Sequence, residues 1–120
     1  MKTILMVEDQ LEFRAIHTAF LQHHGYRVVA AENGAEGVAA AREEQPDLIL
    51  MDFSIPGMDG IAATQELKRD EATREIPILL VTAHSYGAVG KRAKQAGCEE
   101  VLAKPCEPER VLREVRQRIG

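Results

Sequence analysis

Residues 48–60 read LILMDFSIPGMDG, and the break inside this stretch decides the fold. Residues 48–51 are continuously apolar, the pattern of a strand covered on both faces in a parallel sheet, and the run stops at a carboxylate, Asp52. Four more apolar runs occupy residues 4–7, 28–31, 78–81 and 101–103. Amphipathic segments lie between them. Phe13, Ile16 and Phe20 recur at helical spacing and end before Gly25, and Val89, Ala93 and Ala96 do the same before Gly97. Val111, Leu112, Val115 and Ile119 form a last stripe behind Pro108, a favourable first-turn residue. Residues 35–44 and 61–70 are less sharply patterned and fill the two remaining intervals. Strand and helix alternating through five repeats imply right-handed crossovers and a parallel sheet with helices on both faces, a doubly wound α/β domain.

Bulk properties agree with one such unit. A chain of 120 residues and 13.3 kDa predicts a single domain over residues 1–120, with any output domain outside it. With 45% hydrophobic and 28% charged residues it can build one core, which excludes disorder and collagen-like repeats. Fifteen basic against nineteen acidic residues leave a net charge of −4, so no overall basic field holds nucleic acid or anionic lipid. Apolar runs fall far short of the ~20 residues of a membrane span. The opening MKTILMVEDQ meets Glu8 and Asp9 too early for a signal peptide, and the expectation is a cytoplasmic protein with no membrane partner. Cys98 and Cys106 lack the spacing of a zinc site and read as packing thiols. His17, His23 and His24 make no credible metal set and read as a solvated helix end.

In a doubly wound sheet the working site lies beyond the carboxyl ends of the strands, where strand order reverses. Glu8 and Asp9 follow the first run, Asp52 the third, Thr82 the fourth and Lys104 the fifth. The second run ends at Glu32 and Asn33; in a 2-1-3-4-5 order that strand is an edge and its acid falls outside the site. Carboxylates ~5 Å apart repel by roughly 3 kcal/mol per pair at an effective dielectric near 20. Lys104 supplies +1 against −3, and a divalent ion supplies the rest. Oxygen-only ligands select Mg²⁺ or a similar hard ion, which keeps part of its water when a protein offers few carboxylates.

These residues, with the segment DFSIPGMDG and the pair Lys104-Pro105, resemble the receiver domain of two-component response regulators, the family that includes the bacterial chemotaxis regulator. The resemblance spans essentially the whole chain. It rests on an acidic pair, an acceptor Asp, a hydroxyl residue and a Lys-Pro, in order and each at its own strand end. It implies a flavodoxin-like fold, five parallel strands ordered 2-1-3-4-5 with five helices, and a cis peptide before Pro105. It also implies that Asp52 takes a phosphoryl group from a histidine kinase or phosphotransfer protein. Glu8, Asp9, Asp52 and the backbone carbonyl of Ser54 would then hold Mg²⁺, with Thr82 and Lys104 answering the new phosphoryl oxygens. The expected response is a change in the face made by the fourth helix, fifth strand and fifth helix. That face would meet a protein target, an attached output domain or, on activation, a second copy. Such a protein is a signalling phosphoacceptor and not an enzyme, promoting only its own phosphorylation and dephosphorylation. The chemistry agrees, because phosphoryl transfer needs mostly positioning and charge neutralisation, and a carboxylate nucleophile needs no general base.

The match departs in places. Receivers often carry a Tyr or Phe three residues before the lysine, where this chain has Val101, either a plain strand residue or an altered switch. Tyr86 is an alternative reporter. Ser54 and His84, two residues beyond Asp52 and Thr82, occupy the positions that tune water access in the family. Gly87 and Gly90 weaken the start of the fourth helix or lengthen the loop before it. Lys91, Arg92, Lys94, Arg110, Arg113 and Arg116 form either a docking face or a solvated charged surface. Two other functions compete: a receiver-like interaction module that is never phosphorylated, and an aspartyl-phosphate hydrolase. The hydrolase type usually has a second Asp where Ser54 stands.

Overall fold

The computed structural model describes residues 1–83 and 87–120. The expectations placed on His84 and Tyr86 lie outside the described residues. Within them the chain runs β1 (Thr3–Val7), α1 (Leu11–His23), β2 (Arg27–Ala31), α2 (Gly34–Glu44), β3 (Leu48–Asp52), α3 (Gly60–Arg69), β4 (Ile78–Thr82), α4 (Ala88–Ala96), β5 (Glu100–Ala103) and α5 (Pro108–Ile119). The strands form a parallel sheet ordered β2-β1-β3-β4-β5, the flavodoxin-like arrangement of the sequence reading.

The continuous apolar runs of β1, β3 and β4 follow from burial on both faces. Successive side chains point to opposite sides of a strand, so Leu5, Val7, Ile49, Met51, Ile78 and Leu80 join α2, α3 and α4 in one half of the core. Ile4, Met6, Leu48, Leu50, Leu79 and Val81 join α1 and α5 in the other. The two outer strands differ from expectation. In β2, Val28 and Val29 are half-buried and Ala30 is exposed; in β5, Val101 is half-buried and Ala103 exposed. Both are edges, where the covering helices give way to solvent, so an apolar run there is not covered on both faces.

The register of α1 also departs from the predicted stripe. His17 and Leu21 are buried, Phe13 and Phe20 half-buried, and Ile16 is 56% exposed. One residue is about 100° of helix, so a buried face through 13, 17 and 21 turns Ile16 outward. His17 is therefore a core residue and not part of a solvated helix end, whereas His23 and His24 are exposed as expected.

The weakly patterned helices are set by their ends and by small residues. Asn33 Oδ1 accepts from the Glu36 backbone N–H at 2.9 Å, and Asp59 Oδ1 from that of Ala62 at 2.8 Å, each satisfying a first-turn donor. Gly37 lets α2 lie directly on β1, since a Cβ there would stand 2.8 Å from a Val7 methyl. Pro108 opens α5 as expected. Gly87, at φ 69°, stands immediately before α4 and Gly90 lies inside it, so the helix begins between the two glycines. Cys98 is buried and Cys106 half-buried, both free thiols. No helix among the described residues is long and apolar enough to cross a membrane.

Candidate functional site

Strand register brings the acids together. Val7 pairs with Met51, so Glu8 and Asp52, the next residue on each chain segment, emerge at the same sheet edge. Asp52 pairs with Val81 and Thr82 with Ala103, which places Thr82 and then Lys104 beside them. Glu8, Asp9 and Asp52 each offer a carboxylate oxygen within 4.8 Å of the others. Glu8 and Asp52 are buried and Asp9 is exposed. This is a hard-oxygen donor set open on one side, and it fits a Mg²⁺-type ion. Ser54 is exposed at the start of the following loop.

Lys104 crosses the group. Its Nζ lies 2.8 Å from Asp52 Oδ1 and 3.0 Å from Glu8 Oε1, donates to Gln10 Oε1 at 3.2 Å, and sits 4.7 Å from the centre of the Phe13 ring. Its backbone N–H donates to the Thr82 carbonyl at 2.9 Å, and the peptide to Pro105 is cis, as the resemblance implied. Thr82 itself is buried at the end of β4.

The electrostatics record the tension of this packing. Burial raises the Asp52 carboxyl above the ordinary aspartate value; Lys104 and the Ser54 backbone oppose the shift, and the charge of Asp9 adds to it. Glu8 is raised for the same first reason, against the Gln10 backbone and Lys104 and with the help of Asp52. Burial acts to lower Lys104, but the hydrogen bonds and charges of Asp52 and Glu8 outweigh it and hold the ammonium above the usual lysine range.

Several contributors were not singled out in the sequence. Gln10 donates its backbone N–H to Glu8 Oε2 at 2.9 Å while its side chain receives Lys104. Arg14 donates to the Glu8 carbonyl at 2.9 Å and pairs with Glu32 at 3.4 Å, which accounts for Glu32 as an acid outside the cluster. Phe13 was read only as a packing residue. Gln10 is next to the acidic pair and Phe13 one helical turn past Asp9, the only sequence signals that pointed to them.

Gly60 fixes the backbone of the central acid. Its N–H donates to the Phe53 carbonyl at 2.8 Å, and a Cβ there would stand 2.5 Å from the Asp52 carbonyl oxygen and 2.9 Å from Phe53 Cα. Gly60→Ala is expected to cost roughly 1–3 kcal/mol, because the collision is with backbone that cannot turn aside. Urea unfolding should show the midpoint falling with an unchanged slope; an unchanged midpoint would contradict this close approach.

Val101 is half-buried on β5 opposite Leu80 and packs against the α2–α4 side of the core. Two members of the basic group are paired on their own face, Lys94 with Glu100 at 3.1 Å and Arg110 with Glu114 at 3.3 Å. Lys91, Arg92, Arg113 and Arg116 are exposed.

A family model described as the response regulator receiver domain matches residues 4–116. Protein PilH of Pseudomonas aeruginosa is 39% identical over 115 residues, covering 96% of this chain and 95% of that protein. The polar-differentiation response regulator DivK of Brucella anthropi is 34% identical over 119 residues, covering 99% and 97%. Among solved structures, the Vibrio cholerae chemotaxis protein CheY4 superposes with a TM-score of 0.93 at 28% identity over 99% of both chains. The receiver domain of a Pseudomonas aeruginosa sensor histidine kinase, solved with a magnesium ion coordinated in its active-site cleft, gives 0.91 at 34% identity over 99% of this chain and 98% of that one. A match that runs from the first strand into the last helix, in sequence and in fold alike, leaves no part of the architecture outside it, and the chain belongs to the response regulator receiver domain family.

Proposed function

We propose that this chain is a phosphoacceptor switch. A phosphohistidine of a histidine kinase or phosphotransfer protein gives its phosphoryl group to Asp52, and the altered charge changes the face made by α4, β5 and α5. One observation carries the reading: three carboxylates lie within 4.8 Å of one another with the Lys104 ammonium 2.8 Å from Asp52. Burial works against the ionised form of both Asp52 and Glu8, so the fold maintains a charged cluster that packing alone would not favour. Leu11 and Ile16, 69% and 56% exposed on α1, offer apolar contact to a donor approaching from that side.

Glu8, Asp9, Asp52 and the Ser54 carbonyl would hold Mg²⁺, the ion coordinated in the related kinase receiver's cleft. When bound, Mg²⁺ supplies charge neutralisation for the carboxylates and the phosphoryl oxygens. An Asp52 carboxylate oxygen forms the new bond to phosphorus as the bond from phosphorus to the donor's imidazole nitrogen breaks, and the imidazole departs with the electron pair. Lys104 neutralises charge on a phosphoryl oxygen as it develops. The acyl phosphate carries −2 where the carboxylate carried −1, and the Thr82 hydroxyl donates to it. Thr82 ends β4 and Lys104 follows β5, so both lead directly into the α4–β5–α5 face. That face then meets a protein target, an output domain or a second copy. In this reading Val101 stays a strand core residue, while Ser54 and His84 control the water that hydrolyses the acyl phosphate and Tyr86 follows the switch.

The test is direct. With Mg²⁺ and a small acyl phosphate such as acetyl phosphate, the chain should gain one phosphoryl group, and chelating the metal should slow the gain by more than about a hundredfold, the effect of losing several kcal/mol of charge stabilisation. No gain in the presence of Mg²⁺ would leave a passive interaction module instead.

A further inference from the structure

A groove between α1 and the segment joining β5 to α5 is lined in part by Phe13, His17, Lys104, Pro105 and Cys106. His17 lies in it only 3% exposed. Its Nδ1 has no hydrogen-bond partner, and Cys106 lines the same groove. It stacks on Phe13 with ring centroids 3.9 Å apart and planes 24° from parallel. Phe13 in turn carries the Lys104 ammonium, 4.7 Å from its centroid. Lys104 is thus reached from His17 through the Phe13 ring.

A buried imidazole with an orphan nitrogen is a costly way to fill space, and a branched aliphatic side chain would fill the groove without that cost. What the aliphatic group could not do is stack a flat ring on Phe13. Burial lowers the pKa of the ring; the Cys106 backbone opposes the shift and the nearby Lys104 charge adds to it.

We propose that His17 is a positioning residue for phosphoryl transfer: its ring buttresses Phe13, and so fixes the Lys104 ammonium over Asp52. This rests on the phosphoacceptor reading. Nothing in it requires His17 to touch the metal ligands, the donor or the phosphoryl group.

The experiment is a double-mutant cycle on the full chain, with acetyl phosphate and Mg²⁺, using His17→Val, Lys104→Ala and the pair. His17→Val should slow phosphorylation about tenfold, the scale of a small misplacement of a reacting group. Mg²⁺ affinity by calorimetry should change by less than about threefold, because the ammonium is displaced but its charge stays beside the carboxylates. In the Lys104→Ala background the same substitution should cost less than about twofold, since the group it positions is gone. His17→Phe, which restores a flat ring against Phe13, should recover part of the rate; His17→Leu takes the place of His17→Val in the cycle should that variant fold poorly. An equal loss in both backgrounds, or an unchanged rate in the single variant, overturns the proposal while leaving the phosphoacceptor reading intact. A wild-type chain that takes no phosphoryl group overturns both.

Discussion

Asp52→Asn is expected to end phosphoryl acceptance and, in metal-free buffer, to make the protein more stable. The first effect follows from chemistry. An amide oxygen cannot form the acyl phosphate, and loss of a covalent nucleophile reduces such reactions by roughly a thousandfold or more. The second follows from burial. Asp52 binds its proton to a higher pH in the folded chain than its ordinary value of 3.8. Between that value and the raised one, the folded state holds more protons than the unfolded state, so stability falls as pH rises through this window. Below it the carboxyl is protonated in both states and the penalty disappears. The amide removes the penalty at every pH. At neutral pH the variant should therefore gain on the order of 1 kcal/mol, a few degrees in melting temperature, and its advantage should vanish in acid. Added Mg²⁺ should raise the melting temperature of the wild type and do less for the variant. A variant less stable than the wild type at neutral pH without metal would mean that Lys104 compensates the carboxylates better than burial penalises them.

Lys104→Ala should have the opposite effect on stability. Removing the ammonium leaves Glu8 and Asp52 buried without their cation, at a cost on the order of 3 kcal/mol in metal-free buffer. Mg²⁺ should restore much of that loss and should bind roughly tenfold tighter than to the wild type, because the lysine competes for the same carboxylates. Phosphorylation by acetyl phosphate should nevertheless slow by roughly 10²–10³-fold, the usual consequence of losing one donor to a developing oxyanion. Tighter metal with slower transfer separates the two roles of positive charge in the site. If rate and metal affinity fell together, Lys104 would be acting on the metal site and not on the phosphoryl group.

How far the sequence could be read depended on where each residue packs. The runs of β1, β3 and β4 were legible because a strand buried on both faces must be apolar at every position. β2 and β5 carry the same kind of run at the sheet edges, where the pattern overstates their burial. The convergence of residues was legible at Glu8, Asp9, Asp52, Thr82 and Lys104, since a parallel sheet delivers whatever ends or follows its strands to one edge. It was not legible at Gln10, Phe13 and Arg14, whose contacts cross from α1 to the strand ends. His17 was misread for a related reason. Periodicity took Ile16 as the buried member of α1, and an imidazole looks polar until the helix is rotated to face Cys106. Gly60 stood inside the quoted motif, but only the 2.5 Å approach to the Asp52 carbonyl gives a reason for it.

The most direct measurement is chemical identification of the phosphorylated side chain. After labelling with acetyl phosphate and Mg²⁺, borohydride reduces an aspartyl phosphate to homoserine, and peptide sequencing by mass spectrometry locates it. This account predicts homoserine at position 52 and nowhere else. Reduction at Asp9 or at Asp59, or an acid-labile phosphate on a histidine with residue 52 unchanged, would contradict it.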